Sequence, residues 1–418
     1  MMTDQTLEEI SCKISRGDAV VLTARELKER IRSGEEIKVG EVDVVTCGTF
    51  GVMSGTAAIL SVPVAPAGTF DRADKIWVSG VPAMPGPCPN EHLGLVDMII
   101  PATASANATY GGGHLFRDLV AGKEADVTVE SGGHMISCQV TLAEMGQARI
   151  ITTRSAFRNY LAMVNGTDSV VRTIFSVTGL EGPYRQASVS GCGEINPLEN
   201  DPLFRVIGVG TRALLNGGTG YIIGCGTRST RERPNLAVVA DMRGMNPEMM
   251  GGFVTSAGPE CLTSVAIPIP VLDDQILHGL RVTDDQVPLP VAEIHDRRTI
   301  GTANYGMVWG GAATSILNSS ENCIRCEACI AALHCPTGAI RERADIDKTR
   351  CANCGTCVRV CPGGVFFGDL GEITVNGRVV PIVLRQSDRA RAEALCQDLK
   401  DRILKREFTL TEKMEDLL

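Results

Sequence analysis

Cys323-Ile-Arg-Cys326-Glu-Ala-Cys329, closed by Cys335-Pro336, is followed by Cys351-Ala-Asn-Cys354-Gly-Thr-Cys357, closed by Cys361-Pro362. The spacings are C-x2-C-x2-C-x5-C-P and C-x2-C-x2-C-x3-C-P. Three thiolates at two-residue gaps can each take one corner of an iron–sulfur cubane, while the fourth reaches across to the other cluster and proline turns the chain away. On that rule Cys323, Cys326, Cys329 and Cys361 hold one cluster, and Cys351, Cys354, Cys357 and Cys335 hold the other. Paired zinc ribbons compete with this reading, but they seldom show three thiols at such gaps. A purely structural role for the clusters is the stronger competitor, because spacing alone fixes no potential.

The second copy matches the bacterial ferredoxin run, and the first carries two extra residues before its fourth cysteine. The expectation is a C-terminal bacterial-type ferredoxin domain over residues 314–368 with two [4Fe-4S] clusters as cofactors. Such a pair can pass two electrons one at a time, which calls for a low-potential, ferredoxin-like electron donor.

Outward from this segment, GAATSILNSSEN (311–322) is small and polar, as a boundary is. Residues 1–313 then form an N-terminal domain, and 369–418 a hairpin with a helical tail. The hairpin signal is EITVNGRVVPIVL (372–384), two alternating runs joined by Asn376-Gly377, expected to pack on the cysteine segment. Near the N-terminus, helical spacing over residues 1–35, with Thr23 as N-cap and Gly34 as stop, predicts one or two surface helices. Short apolar runs such as VDVVTC, VDMIIPA, ARIITT, FRVIGVG, GYIIGCG and LAVVA predict buried strands. RSAFRNYLAMV and HLFRDLVAG carry helical spacing, so the domain is a mixed α/β or α+β fold. The pattern G-x-G-T-R occurs twice, ending at Arg212 and Arg228, and predicts two adjacent strand ends with similar turns.

The net charge of −9 and the lack of a Lys/Arg block argue against nucleic acid or an anionic membrane as partner. No apolar run reaches 18 residues and the N-terminus lacks a signal-peptide order, which places the chain in the cytoplasm. Without export, the 16 cysteines read as metal ligands or reactive thiols.

Four further segments, VVTCGTFGVMSGTAA (44–58), YGGGHLFRDLVAG (110–122), NDPLFRVIGVGTRALLNGGTGYIIGCGTR (200–228) and VAIPIPVL (265–272), resemble the homocysteine-biosynthesis family. With the cysteine segment in the same chain, the sequence looks like the methanogenesis marker 16 metalloproteins of that superfamily. The resemblance implies reductive sulfur insertion, in which a small-molecule aldehyde becomes a thiol at the expense of a sulfide or persulfide source and two electrons. Family members use one cysteine after the methionine of the GTFGAM-type motif and a second shortly after the GGGH segment. Ser54 follows Met53 here, so Cys47 is the substitute for the first, and Cys138 matches the second.

Free cysteine is most often a small buried hydrophobe, and Cys12, Cys88, Cys261 and Cys396 are read so. Cys138 and Cys47 are the catalytic candidates, ahead of Cys225 and Cys192. His114 closes Gly111-Gly112-Gly113 and can protonate a carbonyl oxygen as sulfur adds; Gly112 and Gly113 let backbone approach a small ligand. Arg212 and Arg228 form a candidate anion clamp. His134, Arg231 and Arg233 are weaker candidates.

These residues predict conversion of a small anionic aldehyde to its thiol, with sulfoacetaldehyde giving coenzyme M as the leading pair and aspartate semialdehyde giving homocysteine as the alternative. A non-catalytic redox or sulfur carrier for metalloenzyme maturation, or a cluster-based sensor, is the reading from another class. Convergence of Cys47, Cys138, His114 and the arginines favours the enzyme, scattered cysteines the carrier. A homo-oligomer is compatible with either.

Overall fold

The computed structural model describes residues 4–86, 88–158, 160–341 and 344–417. The fold is mixed α/β, with a 14-stranded sheet, a six-stranded sheet and a two-stranded ribbon. In the large sheet the order runs from Val21–Thr23 through Val44–Val52, Gly258–Pro270, Arg212–Leu215, Gly218–Cys225, Leu236–Asp241, Gln147–Thr152, Thr56–Pro63, Leu95–Pro101, Val81–Pro85, Lys75–Val78 and Ala125–Ser131 to His134–Val140. Gly251–Thr255 pairs with Gly258–Pro270 off this path.

Two sequence patterns account for how the sheet is filled. Val44–Val52 and Gly258–Pro270 are buried almost without a break, and they pair antiparallel over nine positions from Val44↔Pro270 to Leu262↔Val52. Buried on both faces, they sit near one end of the sheet, packed against the C-terminal helix Arg389–Leu404. Thr56–Pro63 and Leu95–Pro101 alternate instead, sending Ala58, Leu60, Met98 and Ile100 inward. Each large side chain so buried contributes roughly 1.5–3 kcal/mol.

The smaller sheet orders Thr299–Asn304, Pro288–Glu293, Ala162–Val164, Ala187–Val189, Arg378–Arg385 and Glu372–Val375. Its core is shared with the cysteine segment, since Leu289, Val291, Ile373 and Ile382 belong to one apolar cluster with Ile340, Cys357, Val365 and Phe366. The ribbon pairs Leu317–Asn318 with Phe366–Phe367, so the small polar stretch expected as a boundary closes back on the end of the cysteine segment.

The N-terminal helices form at Leu7–Arg16 and Ala24–Arg32, and Thr23 caps the second with a reciprocal Glu26 bond. The hairpin turns at Asn376 and Gly377, both at positive φ. It does not lie on the cysteine segment alone: Arg378–Arg385 completes the six-stranded sheet, and touches the cysteines through the Arg385 N–H bonded to Cys354 O at 2.9 Å.

Two element expectations fail for identifiable reasons. FRVIGVG is no strand, because the buried Asp201 carboxylate accepts the backbone N–H groups of Arg205, Val206 and Ile207 and curls the run into a turn. RSAFRNYLAMV is no helix over its described residues: Ser155 and Arg158 donate backbone N–H groups to Leu236 and Pro234, and the run ends in strand Ala162–Val164, with residue 159 outside the described set.

The last helix is fixed by a buried charge node. Arg389 bonds Glu194 at 2.9 Å and also Asp284, and Arg32 meets Glu194 from the second helix. No helix among the described residues is long and apolar enough to cross a membrane.

Candidate functional site

The eight clustered cysteines separate into two sets. Cys323, Cys326, Cys329 and Cys361 line one cavity of about 620 Å³ together with Ile324, Pro362 and Phe366. Cys326 is exposed, and Ile324 and Leu333 beside it are 63% and 71% exposed. The second set lies deeper, with Cys354 and Cys357 buried. Burial, then the neighbouring Cys351 and Cys335, pushes the Cys357 thiol up to about 12; Cys354 is raised well above its usual range by burial and by Cys335 and Cys357. Backbone N–H groups point at two of these sulfurs, Ala339 at Cys335 (3.2 Å) and Asn353 at Cys351 (3.4 Å). Among the described residues, no three His, Cys, Asp or Glu side chains form a group suited to a single metal ion.

Beside the inner set lie two adjoining cavities of about 350 and 80 Å³, which share Tyr110, His114, Thr337 and Arg350. The larger also reaches Cys335 and Pro336, the smaller Arg117 and Asp118. Helix Gly112–Val120 delivers His114, and glycine is what lets it lie so close to the sheet. A Cβ on Gly112 would sit 2.5 Å from Pro101 O, and one on Gly113 would sit 2.8 Å from Gly251 O. On the facing strand, a Cβ on Gly252 would meet His114 Nδ1 at 2.0 Å. These glycines thus give their open faces to protein backbone and to the imidazole.

The His114 ring stacks on Tyr110 with centroids 5.5 Å apart. Its Nδ1 accepts the Gly111 N–H at 3.2 Å, so the proton of the neutral ring sits on Nε2. Burial, reinforced by Arg350 and Arg117 and opposed by Asp118, brings its pKa down to about 4. At neutral pH it therefore donates a hydrogen bond from an uncharged imidazole.

The other candidates fall elsewhere. Cys47 lies on the second strand of the large sheet, fully buried, with its thiol pushed up to about 12 by burial. Its neighbour Lys28, also buried, bonds Asn200 at 2.9 Å and is lowered by burial to about 8. Cys138 sits on the last strand of the same sheet, its Sγ 3.7 Å from Pro63 O and its pKa raised by burial and Glu144. Neither cysteine lines the His114 cavities. The two G-x-G-T-R copies do fall at one end of an antiparallel strand pair, with Arg212 opposite Tyr221. Arg212 spends its guanidinium over Phe408 and Tyr221, and Arg228 sits in an exposed loop at positive φ.

Sequence reasoning missed Arg117, Arg350 and Tyr110 at the His114 cavities. Arg117 follows His114 by three residues on one helix, a spacing that puts side chains on one face. It missed Glu260 as well, whose buried carboxyl is raised by burial and bonded to Ser54. Arg350 gave no sequence signal beyond standing next to Cys351.

A mixed α/β protein whose large sheet and cysteine-rich segment meet around a histidine-bearing cavity is the class that fold and site define. The family model for "homocysteine biosynthesis enzyme, sulfur-incorporation" matches residues 19–410, and the chain belongs to that family. It is 43% identical over 97% of its length to an uncharacterized protein of Methanothermobacter thermautotrophicus, covering 95% of that chain. It is 30% identical to the L-aspartate semialdehyde sulfurtransferase of Methanocaldococcus jannaschii over 76% of this chain and 65% of that one. A 42-residue stretch is 43% identical to pyruvate synthase subunit PorD of Methanothermobacter marburgensis, 10% of this chain and 49% of the other. No solved structure gives a significant match.

Proposed function

We propose that this chain is a sulfurtransferase that reduces as it transfers, converting a small anionic aldehyde to the corresponding thiol, with sulfoacetaldehyde to coenzyme M as the leading pair. Such chemistry is what a methanogenesis marker 16 metalloprotein would carry out. The observation that carries the reading is the cavity of about 350 Å³ whose wall holds both His114 and Cys335. Family membership and the relative named as an aspartate semialdehyde sulfurtransferase support the reaction class. Aspartate semialdehyde is the same-class rival substrate.

The net change adds sulfide, two electrons and two protons to the aldehyde and releases one water. Sulfide forms the new C–S bond at the carbonyl carbon, and the C=O electron pair moves to oxygen. His114 Nε2–H hydrogen-bonds that oxygen as charge develops there. Loss of water leaves C=S, which takes up two electrons and two protons to become CH2–SH. We read the two cysteine sets as holders of [4Fe-4S] clusters; the cavity lined by Cys323, Cys326, Cys329 and Cys361, and the nearness of Cys335 to Cys354 and Cys357, support that reading. When bound there, the clusters would supply the electrons one at a time. The exposed apolar rim at Ile324 and Leu333 suits a ferredoxin-like donor, and the inner set borders the cavity. Neither Cys47 nor Cys138 lines the His114 cavities, so sulfide from solution is the sulfur source in this scheme.

The test is anaerobic reconstituted protein with sulfide, a low-potential reductant and a panel of aldehydes, thiols being read by mass. Sulfoacetaldehyde should be the best substrate. No thiol from any aldehyde while the clusters remain reducible would instead favour the sulfur or redox carrier, a reading that the absence of Cys47 and Cys138 from the His114 cavities supports.

A further inference from the structure

Two arginines face the cavity behind His114. Arg117 comes from helix Gly112–Val120 and Arg350 from the residue before Cys351. Both line the smaller cavity with Tyr110, His114 and Asp118, and each feels the other's charge. Among the described residues, Arg117 Nε is buried without a hydrogen-bond partner, and its Nη2 reaches Thr349 Oγ1 at 3.4 Å.

The nearby carboxylates are shared: Asp118 and Asp347 both act on Arg117 and Asp347 pairs loosely with Arg350, but each also serves closer donors. Asp118 accepts from Tyr110 OH at 3.1 Å and from Lys123 Nζ at 2.7 Å. Asp347 takes Thr349 Oγ1 at 2.6 Å and Arg341 at 3.1 Å, leaving Arg350 Nε 4.0 Å away. Two guanidinium groups held together, one with an idle buried donor, repel each other unless an anion lies between them, and a guanidinium fork matches an oxyanion.

We propose that Arg117 and Arg350 form an oxyanion subsite that seats the charged end of the substrate, the role first assigned to Arg212 and Arg228. This rests on the aldehyde-to-thiol reading above and names the group that selects its substrate. Seating the oxyanion here leaves the substrate's other end toward the larger cavity, where Cys335 lies. The bound class is a small sulfonate or carboxylate.

Isothermal titration of the reconstituted protein, without turnover, tests this with three probes. They are isethionate as sulfonate, 3-hydroxypropionate as carboxylate and 2-(methylsulfonyl)ethanol as the neutral analogue. The charged probes should bind at least about tenfold tighter than the neutral one. Arg117→Gln and Arg350→Gln should each erase that preference, with Arg117→Lys retaining part of it and Arg212→Gln all of it. Circular dichroism and cluster absorbance confirm that each variant folds. Equal binding of charged and neutral probes, or wild-type binding by the glutamine variants, overturns the subsite. The comparison between sulfonate and carboxylate tells which oxyanion the pair prefers. If the subsite binds as described while no aldehyde is converted, the reaction falls and the subsite stands. If thiol forms with unchanged KM in both glutamine variants, the reverse holds.

Discussion

The backbone N–H of Val254 donates to the carbonyl oxygen of Pro336 at 2.7 Å, tying a strand of the large sheet to the residue after Cys335. Gly252, two residues earlier on that strand, lies against the His114 ring. One short strand therefore sets both the imidazole and the start of the inner cysteine set.

Gly252→Ala should be felt at both places. A methyl group 2.0 Å from His114 Nδ1 must displace the ring, at a cost of about 1–3 kcal/mol. Urea unfolding should show that loss, and thiol formation should fall further than stability alone explains. Wild-type values in both assays would remove the packing account.

The proposed sharing of two clusters between the cysteine sets predicts how iron is lost. Cys361→Ser should behave as Cys323→Ser does, and Cys335→Ser as Cys351→Ser, despite their positions in sequence. Iron should drop from about eight to about four per chain in each case, and electron paramagnetic resonance of the reduced protein should distinguish the two pairs. If Cys361→Ser instead matched Cys357→Ser, the sets would be sequential.

His114 makes stability depend on pH in a defined direction. Its folded pKa of about 4 lies below the roughly 6.5 of an unfolded histidine, so the unfolded chain binds more protons between those values. The contribution is present above about pH 6.5 and is lost as pH falls toward 4, on the order of 1–3 kcal/mol. Denaturation from pH 7 to 4.5 should show a shallower loss in His114→Asn than in the wild type. Parallel curves would mean that burial does not hold this ring neutral.

The two sheet thiols should respond differently. Cys138→Ser is expected to keep turnover with free sulfide within about twofold. Cys47→Ser puts a hydroxyl into a fully buried site and should cost about 1–3 kcal/mol of stability. Loss of turnover in Cys138→Ser with intact fold and clusters would make that thiol part of the chemistry.

Local signals were legible where the backbone decides alone: Thr23 as a cap, Asn376-Gly377 as a hairpin turn, and most apolar runs as strands. FRVIGVG misled because the acidic side chain of Asp201, three residues before the run, takes its donors, which no periodicity reveals. The histidine was found from its glycines, yet its arginine neighbours were not. Arg350 reaches the cavity only because the cysteine segment folds back onto Gly251–Thr255, a contact between residues far apart in sequence. Arg212 and Arg228 drew notice as a repeat, but repetition of a turn says nothing of what its side chains face.

Strand Arg378–Arg385 and helix Arg389–Leu404 complete sheets begun hundreds of residues earlier. During synthesis the chain must therefore wait for its final segment before its interior can close. All eight clustered thiols have left the ribosome by then, hanging from an unfinished scaffold. Oxygen encountered in that interval would reach them before any native packing could shield them, so the yield of intact protein should be decided at birth rather than in storage.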